Sequence, residues 1–198
     1  MSSGLLLLHA WWGLNDDVRA RAEKLRAEGY TVATPDLFAG RTAKTREEAR
    51  ALSSSFEKDE GDLTRRVDEA LRGLGGMVDR LAIVSWSFGN YYAWKVGVAH
   101  PDAVRAIVCF YGLAVADTSK RMPPTLSHYA ELDEFEDLES TRKAEKELRA
   151  AGTDIRLELY PGTKHWFDET SRPEYDKAAS TLAWERTRSF LKEHLGSR

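Results

Sequence analysis

The most constraining stretch of this 198-residue chain is Ser85-Trp86-Ser87-Phe88-Gly89. It follows the apolar run Leu81-Ala82-Ile83-Val84 and precedes a helix-like stretch from Asn90 to Ala99. A buried strand, then small-x-Ser-x-Gly, then a helix is the setting of a nucleophile elbow. In such a turn the central Ser is held in a strained backbone conformation with its hydroxyl exposed. Strand and helix backbones nearly touch there, so the residues two before and two after the Ser must be small. Ser87 is then expected to attack carbonyl carbon. Ser85 stands where Gly is usual, so the contact must accommodate one extra hydroxymethyl group.

Around this turn, short apolar runs alternate with longer amphipathic segments, the pattern of a parallel sheet with helices on both faces. The first strand is read over Leu5 to Ala10 and a helix from Asp16 or Asp17 to about Glu28, ended by Gly29. Tyr30 to Ala33 is a second strand. Residues 40–61 are polar and poorly periodic, with a short helix around Glu47 to Leu52, and their position makes them a candidate flap over the site. A helix follows from Asp62, with Leu63, Val67, Ala70, Leu71 and Leu74 at helical spacing. Further strands are expected at Val104 to Phe110, Thr125 to Ala130 and Ile155 to Tyr160, and helices at Ser140 to Ala151 and about Pro173 to Leu195. Every candidate functional loop then follows the C-terminal end of a strand, where open α/β sheets place their sites.

A serine hydroxyl needs a base to take its proton and an acid to orient that base. On this architecture the chain order is Ser, then Asp or Glu, then His. Five histidines compete. His9 precedes the nucleophile, His100 ends the elbow helix, His128 lies inside a strand as a core residue, and His194 is in the last helical turn. His165 alone follows the last strand, so it is the expected base. For the acid, the loop after Ala130 offers Glu131, Asp133, Glu134, Glu136 and Asp137. Asp133 is favoured as a short carboxylate just beyond the strand, with Phe135 able to anchor the loop, and Glu131 is next. The developing oxyanion needs donors, and the backbone N–H groups of Phe88 and Trp11 are the expected pair. Trp12, Trp86 and Trp166 flank these residues and are candidates for an apolar, aromatic substrate pocket.

These pieces resemble the dienelactone hydrolase family of α/β-hydrolases. The resemblance rests on His9-Ala10-Trp11-Trp12-Gly13, Thr34-Pro35-Asp36-Leu37-Phe38-Ala39-Gly40, the elbow, Tyr111-Gly112, Pro124 to His128 leading to Asp133, and Tyr160-Pro161-Gly162 leading to His165. The ending Ala183-Trp184-x-Arg186-Thr187-x-x-Phe190 belongs to it too. It implies an α/β-hydrolase fold, with a mostly parallel sheet, helices on both faces and, at this length, no separate cap domain. It also favours Asp133 over Glu131. Family members known for dienelactone cleavage use a cysteine nucleophile and a glutamate after the first strand that activates it; here those positions are Ser87 and Ala10. They bind the dienelactone carboxylate through arginines, one shortly after the catalytic His. Here Trp166-Phe167-Asp168-Glu169 follows His165, with no Arg before Arg172. A small uncharged ester or lactone is therefore the expected substrate.

Composition bounds the alternatives. With 29 basic and 32 acidic residues spread along the chain, no face suits a nucleic acid or an anionic membrane. The single cysteine, Cys109, allows no internal disulfide or Cys-rich metal site and suits a reducing cytoplasm. The Leu5–Leu8 run is too short to span a bilayer and lacks the marks of a signal peptide. A single domain over 1–198, a monomer or homodimer, is expected to act without cofactor or metal. Two rival readings share the fold: a non-catalytic binding protein, and an acyltransferase using the same triad.

Overall fold

The computed structural model describes residues 1–196. Six strands form one sheet: β1 (Ser3–Leu8), β2 (Thr31–Ala33), β3 (Arg80–Trp86), β4 (Val104–Phe110), β5 (Thr125–Ala130) and β6 (Ile155–Tyr160). Their spatial order is β2-β1-β3-β4-β5-β6, and every pairing is parallel. The helices are α1 (Asp16–Ala27), α2 (Arg46–Glu57), α3 (Glu60–Gly75), α4 (Phe88–Ala99), α5 (Leu138–Ala150) and α6 (Lys177–Leu195).

Both faces of the sheet are covered, which is why the central strands read as unbroken apolar runs rather than alternating ones. The period of two still sorts the side chains. Leu5, Leu7, Ala82, Val84 and Val108 pack against α1 and α6 through Val18, Leu25, Trp184 and Leu191. Leu6, Leu8, Leu81, Ile83 and Ile107 face α3 and α4 through Leu63, Val67, Tyr92 and Val96. Cys109 sits in this second layer, where burial pushes its thiol up to about 12 and keeps it a neutral core residue. Among the described residues no helix is long and apolar enough to cross a membrane.

Several boundaries differ from the sequence reading, as at β1, which runs Ser3–Leu8 rather than Leu5 to Ala10, and three others bear on the site. Residues 46–57 form a longer helix than the short one expected around Glu47 to Leu52, with Thr45 and Glu48 making a reciprocal capping box at its start. The last helix begins at Lys177, where Asp176 caps it by accepting from Ala179 N–H, so Pro173 lies in the preceding turn. The elbow helix begins at Phe88 rather than Asn90, leaving Ser87 alone between strand and helix.

Candidate active site

Ser87 occupies φ 47°, ψ −110°, a region that L-residues adopt only under constraint. Several bonds hold it there. Its N–H donates to the Phe110 carbonyl at 3.0 Å, and its own carbonyl accepts from Asn90 N–H at 2.8 Å. The small residues beside it work differently from one another. At Gly89 a Cβ would lie 2.5 Å from the Leu8 carbonyl oxygen, a backbone atom of β1 that cannot step aside. At Ser85 the side chain fits, and its hydroxyl donates to Asn90 Oδ1 at 2.8 Å while Asn90 Nδ2–H donates to the Phe110 carbonyl at 2.9 Å. The departure from Gly thus becomes a tie between β3 and α4.

His165 stands in the turn after β6, which Thr163 closes by donating its hydroxyl to the Tyr160 carbonyl at 2.8 Å. The loop after β5 lies against this turn, with Leu132 N–H donating to the Thr163 carbonyl at 2.8 Å. That docking separates the two candidate acids. Glu131 is exposed and accepts from Gly162 N–H at 2.8 Å, so it braces the turn. Asp133, its side chain fully buried, puts Oδ2 2.7 Å from His165 Nδ1. Its Oδ1 accepts from the N–H groups of Phe135 and Glu136 at 2.9 and 3.1 Å. His165 Nε2 lies 2.9 Å from Ser87 Oγ. A carboxylate can only accept, so Nδ1 carries the imidazole proton and Nε2 is left to accept from the Ser87 hydroxyl. Phe135 does anchor this loop: its ring lies 4.9 Å from that of His165 and 5.6 Å from that of Trp11.

The other histidines have other duties. His9 is buried, bonding the Ala10 carbonyl through Nδ1 at 2.7 Å and accepting from Leu37 N–H at 3.1 Å; burial lowers its pKa to about 4. His128 spans Tyr160 and Thr187 in the core, at 2.8 Å from each hydroxyl, and burial takes it down to about 3. His100 pairs with Asp68, and His194 lies beside Asp154 and Glu193 near the C-terminus of α6.

A cavity of about 480 Å³ opens beside Ser87. Phe88, Trp11, Tyr91 and Tyr92 contribute its aromatic surface. The expected lining by Trp12, Trp86 and Trp166 is not found; all three are at most 3% exposed and none borders the cavity. Trp86 points to the opposite layer, stacked on Phe110 at 5.5 Å with its indole N–H donating to Asp168 Oδ2. Trp12 and Trp166 pack edge to face at 5.0 Å behind Trp11. Neighbours of a site residue on a strand or tight turn face away from it, and burying an indole in the core is the more favourable place for so much apolar surface. Tyr91 and Tyr92, four and five residues after Ser87, were missed, although one helical turn from the elbow is a position that faces the same mouth. Missed too were the cavity's carboxylates, Glu57, Glu60 and Glu136. The pocket is aromatic, as expected, but acidic rather than simply apolar.

The dienelactone hydrolase family model matches residues 2–195. The chain belongs to the dienelactone hydrolase family. That membership makes it an enzyme of the ester- and lactone-hydrolase class. Among its relatives, protein usf of Aquifex pyrophilus is 24% identical over 97% of this chain and 88% of its own length. A protein of Escherichia coli provisionally named carboxymethylenebutenolidase is 26% identical, covering 98% and 78% of the two chains. Of the solved structures, a provisionally named dienelactone hydrolase from Klebsiella pneumoniae superposes with a TM-score of 0.83 at 18% identity, over 96% of this chain and 86% of that one. At that identity the likeness speaks for the α/β-hydrolase fold.

Proposed function

We propose that this family member is a serine hydrolase acting on small esters or lactones that carry no negative charge. The observation that carries the reading is the unbroken line of Asp133, His165 and Ser87, at 2.7 and 2.9 Å. As Ser87 Oγ bonds to the substrate carbonyl carbon, its proton passes to His165 Nε2. Asp133 holds the imidazole in the required tautomer and stabilises the imidazolium. The tetrahedral oxyanion sits against two backbone donors. Phe88 N–H opens α4 and so has no acceptor within the helix, while Ser87 N–H is already committed to Phe110. Trp11 N–H, at the tip of a turn closed by Gly13 N–H donating to the Ala10 carbonyl at 3.1 Å, has no acceptor among the described residues. The bond to the leaving oxygen then breaks as His165 Nε2–H protonates it, and an acyl-Ser87 ester remains. A water loses its proton to His165, attacks that ester, and the proton returns to Ser87 Oγ as the acid departs. The same groups need no carboxylate at Ala10, because there is no thiol to activate.

Ser87→Ala is expected to lower kcat for a short p-nitrophenyl ester by roughly 10⁴-fold or more, with an unchanged circular-dichroism melt. A fluorophosphonate probe is expected to label Ser87 in the unmodified protein. Full turnover by the variant would overturn Ser87 as the nucleophile, and a native protein inert to both probe and ester would leave the fold a binding scaffold instead.

A further inference from the structure

The cavity beside Ser87 carries three carboxylates, and among the described residues no Lys or Arg borders it. The three are not equivalent. Glu60 accepts from the Tyr91 hydroxyl at 2.8 Å and is paired with Lys95, so its charge is largely answered. Glu57 is exposed on the last turn of α2 and has no cationic partner among the described residues. Glu136 likewise has none, and its position is built. Gly112, at φ +100°, leaves the space its carboxyl occupies, and a Cβ there would lie 2.8 Å from Glu136 Cδ. Its backbone is tied down as well, with the N–H on Asp133 Oδ1 and the carbonyl taking the Tyr129 hydroxyl. The same cavity is lined by the rings of Trp11, Phe88, Tyr91 and Tyr92. Carboxylates attract a cation through charge, and aromatic rings attract it through their negative faces, most strongly where water is partly excluded.

We propose that this pocket selects esters bearing a positively charged group, such as a substituted ammonium, with Glu136 and Glu57 as its counter-charges and the aromatic rings as its walls. The proposal rests on the reading of Ser87 as nucleophile and extends it from reaction to substrate class.

The test uses two pairs of esters, the members of each differing only in whether a trimethylammonium or a tert-butyl group ends the chain. One pair carries the group on the alcohol, the other on the acyl side. In at least one pair the cationic ester is expected to show about five- to tenfold higher kcat/KM at low salt, a preference that shrinks as salt is added. The Glu57→Gln, Glu136→Gln double variant is expected to bring the ratio close to one, whatever its absolute rates. Glu145→Gln on α5, which does not border the cavity, should leave the ratio in place. A ratio at or below one in both pairs, with turnover that Ser87→Ala abolishes, overturns the cation preference and leaves the hydrolase reading standing. A preference that persists in the double variant overturns the assignment to these carboxylates. Turnover that survives Ser87→Ala overturns the nucleophile, and the substrate class falls with it.

Discussion

Burial, with the Asp133 carboxylate adding to it, pushes the Glu136 carboxyl from the usual glutamate range up to about 7. Its charge is therefore present above that pH and lost below it. The cation preference of the pocket should rise with pH through about 7, as Glu136 gains its charge. The groups around Glu136 do not blur this step: Cys109 stays neutral, and Glu60 is held low by Lys95 and Tyr91. A ratio flat between pH 5.5 and 8.5, measured on the same pairs, would mean that Glu136 does not face the cation (the window brackets about one and a half units either side of the titration). Residue by residue, the grouping of Ser87, Asp133 and His165 was legible because position after successive strands carries it. Choosing Asp133 over Glu131 was not legible from charge or spacing alone. That choice depends on how the loops after β5 and β6 dock, where Glu131 meets Gly162 N–H and Asp133 meets His165.

At the scale of elements, the contact of β1, β3 and α4 is a tight point in the site. Gly89→Ala places a methyl 2.5 Å from the Leu8 carbonyl, so either strand or helix must shift. Overpacking of this kind costs about 1–3 kcal/mol. The elbow moves with the helix, so kcat for a neutral ester is expected to fall at least tenfold while urea denaturation shows the lower midpoint. A variant with native midpoint and rate would remove the steric argument. The elbow was readable from sequence because all its requirements fall within five residues. The helix α2 was harder to read. Its polar exposed face weakens the periodic signal, and its stability draws on the capping box and on Arg46, which pairs with Glu134 and Glu174 and stacks over Trp166 at 4.8 Å.

Across the whole molecule, one buried carboxylate joins the site loop to the scaffold. Asp168, three residues after His165, accepts from Arg21 of α1 at 2.9 Å, from Ser180 and Trp184 of α6 at 2.6 and 2.9 Å, and from Trp86 of β3 at 3.1 Å. Its N–H donates to the Tyr111 hydroxyl at 2.9 Å, and the Tyr111 ring lies 4.9 Å from that of His165. Asp168→Ala strands several buried donors and a largely buried guanidinium, a loss of about 3 kcal/mol or more. Urea unfolding should show that loss, and Ser87 labelling by the fluorophosphonate should slow as His165 loses its support. Unchanged stability would mean that solvent satisfies these donors. Neighbouring Glu169 is buried, and burial raises its pKa well above the ordinary value. An acid raised in this way is disfavoured when ionised, so it weakens the fold progressively as pH climbs above its unfolded value of about 4.3.

The sequence by itself determined the alternation of strands and helices, the elbow, and the order in which Ser87, Asp133 and His165 follow. Each of these is written in local spacing, either the periods of two and 3.6 or the five residues of one turn. Only the tertiary structure decided which tryptophans turn into the core, which acid meets His165, and what lines the cavity. Glu57, Tyr91 and Glu136 come from α2, α4 and the loop after β5, segments far apart in the chain. The charge of the pocket is the sum of such distant groups brought together by packing, and no local pattern records it.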